Sequence, residues 1–317
     1  MKGHRHATFS RSTTRSTSRT TRQRAGLAVV ASACIVTLAC VPAANAQDAA
    51  ALRGHHAALR EGLAHNAFGR PLVLNSSEAS GLFRGEVYAV LAQPFGVVGP
   101  ALQGMEQWCD VLMLHLNVKA CRGQGNGAAN TLSLAVGHKF DQPIGEAFQI
   151  DFAYRVVSNQ ADYLQVALAA AAGPLGTKDY RIGFEATALD ATTTFVHLSY
   201  AYAYGTAARI AMAAYLATIG QDKVGFSIVG QGSDGVPVYL ADARGAVERN
   251  TMRYYLAVEA YLGALALPLA QRPEQRLRDW FDAIERYPRQ LHELTREDYL
   301  AMKRRELAQR KVLAEKP

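Results

Sequence analysis

The middle of the chain alternates between apolar and polar positions. In 148–156, Phe148, Ile150, Phe152, Tyr154 and Val156 share one face of an extended chain, while Gln149, Asp151 and Arg155 take the other. In 180–188, Tyr180, Ile182 and Phe184 oppose Arg181 and Glu185, and in 196–204, Val196, Leu198, Tyr200, Tyr202 and Tyr204 oppose His197 and Ser199. A period of two marks a strand with two unlike faces. With 131–140 and 163–171, these make a series of strand-length segments punctuated by Ser158-Asn159, Gly173-Pro174 and Leu189-Asp190. Short links between successive strands predict an antiparallel, curved meander. Upstream, 83–91 reads as one more strand, followed by two short helices near 95–102 and 105–114.

The period then lengthens to that of a helix. Within 247–267, Val247, Tyr254, Tyr255, Val258, Leu262 and Leu265 form one apolar stripe, and Pro268 and Pro273 close the segment. Leu277, Trp280, Phe281 and Ile284 repeat the pattern, so a helix over 274–287 is expected to pack on something. Before them lie an Ala-rich helix at 206–218, ended by Gly220, and a Gly-rich strand and loop at 225–235. The tail from 295, with Lys303-Arg304-Arg305 among acids, reads as a solvated helix face. At the other end, 49–64 reads as a short helix whose His55, His56 and His65 belong to a solvated face. The expected division is therefore 1–46 as a targeting segment, 47–80 as a connector with a short helix, 81–270 as the main domain and 271–317 as a charged helical extension.

Charge changes the picture only at the N-terminus. Lys2 and six arginines precede an acid-free apolar run over 25–41, then Pro42 and Ala44-Asn45-Ala46. Positive flank, short apolar core and small-residue site are the parts of a secretory signal, with cleavage expected between Ala46 and Gln47. The whole chain has 34 basic and 27 acidic residues. Removing the seven basic residues of 1–46 leaves the mature part neutral, without the positive field of a nucleic-acid binder. No second apolar run is long enough to span a membrane, so a periplasmic or secreted soluble protein is expected. Cys34 and Cys40 leave with the signal. Cys109 and Cys121 remain as an even pair bound for an oxidising compartment, which favours a disulfide. No metal-ligand spacing accompanies them.

One strand, two short helices, a run of antiparallel strands and a long C-terminal helix make a particular order. It resembles the START-like, helix-grip superfamily, also known as the polyketide-cyclase or birch-pollen-allergen fold. Trp108-Cys109-Asp110 adds to the likeness, since such proteins often carry an aromatic on the second short helix, just before the next strand. The resemblance covers roughly 83–267 and implies a bent sheet wrapped on a long helix with a tunnel between them. The chain departs from it by inserting 206–245 and by adding about 45 residues at the end.

No nucleophile elbow, zinc-protease pair or Walker loop is present. Gly123-Gln124-Gly125-Asn126-Gly127 lacks the strand-to-helix setting of a phosphate loop and reads as a hairpin loop. The informative feature is aromatic residues gathered on one sheet face with few charges among them. A filled core and a ligand cavity both account for that pattern. In the cavity reading, Phe152, Phe184, Tyr200 and Tyr202 line the wall. Arg249 and Arg253, four apart on the long helix, stand at the tunnel mouth to hold a carboxylate or phosphate. Pairing of both arginines with nearby acids such as Glu248 or Asp242 is the alternative. The fold class is thus α+β, a curved antiparallel sheet on a long C-terminal helix with extra C-terminal helices. The function favoured is binding or carriage of a hydrophobic, lipid-like small molecule, with no cofactor, no metal and no nucleic acid. An enzyme of cyclase or hydratase type and a non-enzymatic envelope interaction module are the other two readings.

Overall fold

Strands β1 (Leu72–Ala79) and β2 (Leu82–Leu91) form a hairpin in the computed structural model, which describes residues 44–125, 130–205 and 223–314. Its two-residue turn puts Ser80 and Gly81 both at positive φ, the twist that suits a tight hairpin. Helices α3 (Phe95–Ala101) and α4 (Met105–Leu112) follow, then β3 (Val118–Gly125), β4 (Asn130–Val136), β5 (Phe148–Asn159), β6 (Tyr163–Ala172), β7 (Thr177–Ala188) and β8 (Thr194–Tyr204). These eight strands make one antiparallel sheet in the order β1-β2-β8-β7-β6-β5-β4-β3. The last strand of the meander returns beside β2, from Leu82 opposite Ala203 to Leu91 opposite Thr194. Register shifts at Val118/Ala120, Val156/Ser158 and Lys178/Arg181 bend the strands, as bulges do.

A small hairpin of β9 (Ile228–Gln231) and β10 (Pro237–Tyr239) leads to the long helix α5 (Ala243–Gly263). Asp242 caps that helix by accepting from the N–H groups of Arg244 and Gly245. It crosses the concave face of the sheet, which is the expected arrangement of curved sheet on long helix. Gly85 on β2 permits the approach: a Cβ there would stand 2.2 Å from Thr251 Oγ1 and 2.9 Å from Val247 Cγ1. Helices α6 (Arg272–Ile284), α7 (Pro288–Leu291) and α8 (Arg296–Ala314) complete the chain. None of the described helices is long and apolar enough to cross a membrane.

Two differences from the expected organisation have simple causes. The segment 47–80 is more than a connector, because β1 lies in it. Its outer half, Asn75-Ser76-Ser77-Glu78, is polar because an edge strand has solvent on one side. On the convex face, helices α1 (Ala44–Ala58) and α2 (Arg60–Ala64) cover a second apolar cluster of Ala49, Leu52, Leu63, Tyr88, Tyr163 and Phe195. The helix over 274–287 packs as expected, but the tail from 295 is not a solvated face. Leu277, Trp280, Phe281, Ile284, Tyr299, Leu300 and Met302 all enter the main core. Lys303, expected on a solvated face, is fully buried: its ammonium donates to Val118 O at 2.7 Å on the edge strand and pairs with Glu306 at 2.7 Å. Burial lowers its pKa to about 8, despite Glu306 beside it. Cys109 on α4 and Cys121 on β3 are joined as a disulfide, with Cα atoms 5.3 Å apart. The expected helix at 206–218 lies outside the described residues.

Candidate ligand-binding site

Because β5, β7 and β8 alternate, their concave faces bring one aromatic row after another under α5. Tyr180 and Tyr202 stack at 5.3 Å, Tyr200 lies 5.7 Å from Tyr202, and Phe152 meets Tyr180 edge-on at 6.3 Å. From above, Tyr254 of α5 comes within 5.3 Å of Tyr200. Phe83 stacks on Tyr204 at 4.5 Å and closes one side. Phe184 sits one pair further along, edge-on to Trp108 of α4 at 5.6 Å. All four aromatic residues expected to line a cavity therefore share the concave face, with Tyr200, Tyr202 and Phe152 in one cluster and Phe184 beside it.

The hydroxyls distinguish this cluster from an ordinary apolar core. A buried phenol normally finds a hydrogen-bond partner. Tyr154 donates to Gln103 O at 2.9 Å, Tyr180 is 2.8 Å from Thr177 Oγ1, and Tyr204 donates to Glu78. Tyr200, Tyr202 and Tyr254 make no hydrogen bond among the described residues. They are not sealed in packing either: Tyr200 and Tyr202 remain 7% and 5% exposed, and Tyr254 is half-buried. Burial first, then the neighbouring Tyr180, Tyr254 and Tyr202 rings, push the Tyr200 phenol well above its ordinary pKa. Burial does the same to Tyr254. All are neutral donors near neutral pH.

His115 was not singled out by the sequence, where it is one polar residue within an apolar Met113–Leu116 run. On the turn after α4 it stacks on Tyr254 at 4.7 Å and is 2% exposed. The Asn117 N–H donates to its Nδ1 at 3.2 Å, so the ring proton resides on Nε2. That Nε2 is buried without a partner; Asn250 stands nearby but does not meet it in hydrogen-bond geometry. Burial, reinforced by the charges of Arg253, Lys303 and Lys139, holds the pKa well below the usual imidazole range. A neutral imidazole thus presents an N–H at the edge of the tyrosine cluster.

The two arginines are not at a mouth. Arg253 is 1% exposed and its Nη2 donates to Glu293 Oε1 at 2.8 Å and to Leu291 O at 3.2 Å. Its own carbonyl accepts from Trp280 Nε1 at 3.0 Å. Lys139 and Lys223 also reach Glu293, at 2.6 and 3.2 Å. Burial, aided by Arg253, lowers Lys139 to about 8. Burial alone would raise Glu293, but Arg253 and Lys139 hold its carboxyl below the ordinary range. Arg249 is buried as well; burial raises the pKa of the Tyr202 phenol, Tyr180 and Tyr204 add to that, and the Arg249 charge opposes them. Of the two acids expected to pair with them, Asp242 caps the helix. Glu248 holds Ser76, Phe226 and Ser227 through short bonds of 2.6–2.9 Å.

A second polar cluster occupies the convex face. His197 Nδ1 lies 2.7 Å from Glu185 Oε2 and Nε2 lies 3.0 Å from Glu86 Oε1, while Tyr163 donates to Glu185 at 2.6 Å and Tyr88 stacks on the ring at 4.3 Å. Every nitrogen of that imidazole is engaged, so the arrangement is a structural clamp between three strands.

No protein-family profile matches the sequence, and no curated protein does. Solved structures similar to this chain include an aromatase/cyclase from Streptomyces sp. R1128, 14% identical with a TM-score of 0.34, covering 62% of this chain and 96% of that one. Norcoclaurine synthase from Thalictrum flavum is 12% identical with a TM-score of 0.31, covering 43% and 85%. A conserved protein of unknown function from Enterococcus faecalis is 8% identical with a TM-score of 0.30, covering 76% and 91%. The superposition scores are low throughout.

Proposed function

We propose that the chain is an exported helix-grip protein that binds a hydrophobic small molecule bearing oxygen groups, between the concave sheet face and α5. The observation that carries this is the set of four donors inside the molecule, the hydroxyls of Tyr200, Tyr202 and Tyr254 and the Nε2–H of His115, that meet no acceptor among the described residues. Of these, His115 Nε2 is fully buried, and leaving such a donor unsatisfied costs about 1–3 kcal/mol; the three hydroxyls beside it keep donor capacity for an acceptor from outside the chain. Phe83, Phe152 and Phe184 supply the apolar wall. Arg253 is assigned to structure.

Titration with a hydroxylated hydrophobe and with its hydrocarbon analogue tests the reading. Tyr200→Phe is expected to weaken the first by about 0.5–1.5 kcal/mol, the net worth of one hydrogen bond, and to leave the second unchanged. An equal effect on both would show that the hydroxyl meets no ligand.

His115 gives a specific reason for a second reading, an enzyme. A neutral imidazole that donates from Nε2 can polarise a carbonyl without delivering a charge. On that reading His115→Gln abolishes turnover of a bound carbonyl compound while binding survives; on the carrier reading the variant changes affinity alone.

A further inference from the structure

A cleft of about 510 Å³ opens between α4, α6 and α8, and it shares no lining residue with the tyrosine cluster. Met113, Leu114, Leu277 and Leu307 form its floor, and its volume falls in the range of roughly 300–1,000 Å³ usual for small-ligand sites. The sequence explains the floor. Leu277 belongs to the apolar stripe of α6, and Met113 and Leu114 end the apolar run after α4. Leu307 comes from α8, which was expected to be a solvated helix face.

The polar wall is uneven. Arg276 is 9% exposed along its side chain, lies over the Tyr261 ring at 4.1 Å, and donates through Nη1 to Asp110 Oδ2 at 2.7 Å. Its Nε is buried without a partner, and its Nη2 makes no hydrogen bond among the described residues. Arg310 takes the other oxygen of Asp110, at 2.7 Å, and extends its second nitrogen to Glu106 at 2.6 Å. Two guanidiniums therefore share the one firmly held carboxylate. The Glu106 side chain is 68% exposed, so its pair with Arg310 is worth little and is readily exchanged. At the opposite end Glu274 takes both Arg304 and Arg278. A cation would find both Asp110 oxygens occupied. An anion finds Arg276 with donor capacity to spare and can replace Glu106 on Arg310.

We propose that this cleft is a second ligand site, for a single-chain amphiphile with an anionic head: the carboxylate on Arg276 and Arg310, the aliphatic body on Leu277, Met113, Leu114 and Leu307. The assignment is independent of the ligand in the tyrosine cluster.

Isothermal titration calorimetry of the purified full chain with dodecanoate, dodecanol and dodecyltrimethylammonium tests it. Dodecanoate is expected to bind, dodecanol at least about tenfold more weakly, and the cation not at all, a tenfold ratio being the low end for a charge-assisted hydrogen bond. Arg276→Gln should weaken dodecanoate by the same factor and dodecanol less than about twofold. Because Arg276 is buried, Ala308→Trp provides the second arm: Ala308 is exposed at the cleft, so the indole fills the space without disturbing the core. It should remove the dodecanoate isotherm. A last arm uses vesicles containing an acidic phospholipid: binding that Ala308→Trp abolishes identifies the head group as that of a membrane lipid, and absence of vesicle binding identifies a free acid. Dodecanoate that does not bind, that binds Ala308→Trp undiminished, or that is no better than dodecanol would overturn the proposal.

Discussion

His197 shows how a single side chain couples this fold to pH. Burial pulls its pKa down, but the hydrogen bonds to Glu185 and Glu86 win, and the net shift is upward. The bond from His197 also holds Glu86 at about 2. The unfolded imidazole titrates near 6.5. Below that pH it is charged in both states and its stabilisation is complete; as pH rises through the higher folded value the proton and the stabilisation are lost. His115 acts with the opposite sign, since its folded pKa is depressed: protonation of the unfolded chain favours unfolding below about pH 6.5. Between about pH 5 and 8, below the range in which the depressed Lys139 and Lys303 titrate, urea unfolding of the wild type should therefore show greatest stability near the unfolded imidazole value, and His197→Gln should flatten the decline above it. An unaltered decline in the variant would locate the titrating group elsewhere. Arg253 carries a different expectation, because its partner is Glu293 rather than a ligand. Arg253→Ala should cost about 3–5 kcal/mol in urea unfolding, the scale for breaking a buried pair; a loss under about 1 kcal/mol would return it to the list of ligand residues. Its role was illegible in the sequence, since Glu293 lies 40 positions away and arrives only through the turns after α6.

At the scale of elements, alternation and the 3.6-residue stripe revealed five of the six meander strands, the strand beside them and the long helix. β1 and β3 escaped for physical reasons. β1 is an edge strand with a polar half, and β3 hides a buried Lys119, which donates to Phe140 O at 2.9 Å, in a run that ends in glycines. A buried lysine reads as a surface residue until its acceptors are known, and Lys303 misled in the same way. The contact between α5 and the sheet makes a sharper demand, at Gly85. Gly85→Ala should destabilise by about 1–3 kcal/mol, as overpacking does. Thr251→Ala in the same chain should recover much of the loss, because Thr251 Oγ1 is the atom that the new methyl meets. A double-mutant cycle on denaturant midpoints measures this. Additive losses would mean that helix and sheet are not in contact there.

For the whole molecule, export is the proposal, and its grounds are the equal count of basic and acidic residues after position 46, the disulfide and the apolar run before Ala46. N-terminal sequencing of protein recovered from the periplasm or medium should begin at or near Gln47; soluble material that retains residues 1–46 would contradict that expectation. The concave face was legible residue by residue, in that Phe152, Phe184, Tyr200 and Tyr202 all point to it. What the sequence withheld was which hydroxyls stay unanswered, because that depends on Thr177, Gln103 and Glu78 reaching their tyrosines while none of the described residues hydrogen-bonds the hydroxyls of Tyr200, Tyr202 and Tyr254. The most direct test is the electron density around those three hydroxyls and His115 Nε2 in crystals of protein purified without detergent. The account predicts a bound small molecule with oxygen atoms within about 3.5 Å of at least two of the four donors. Rings packed against one another, with all four donors turned to protein or water, would contradict it.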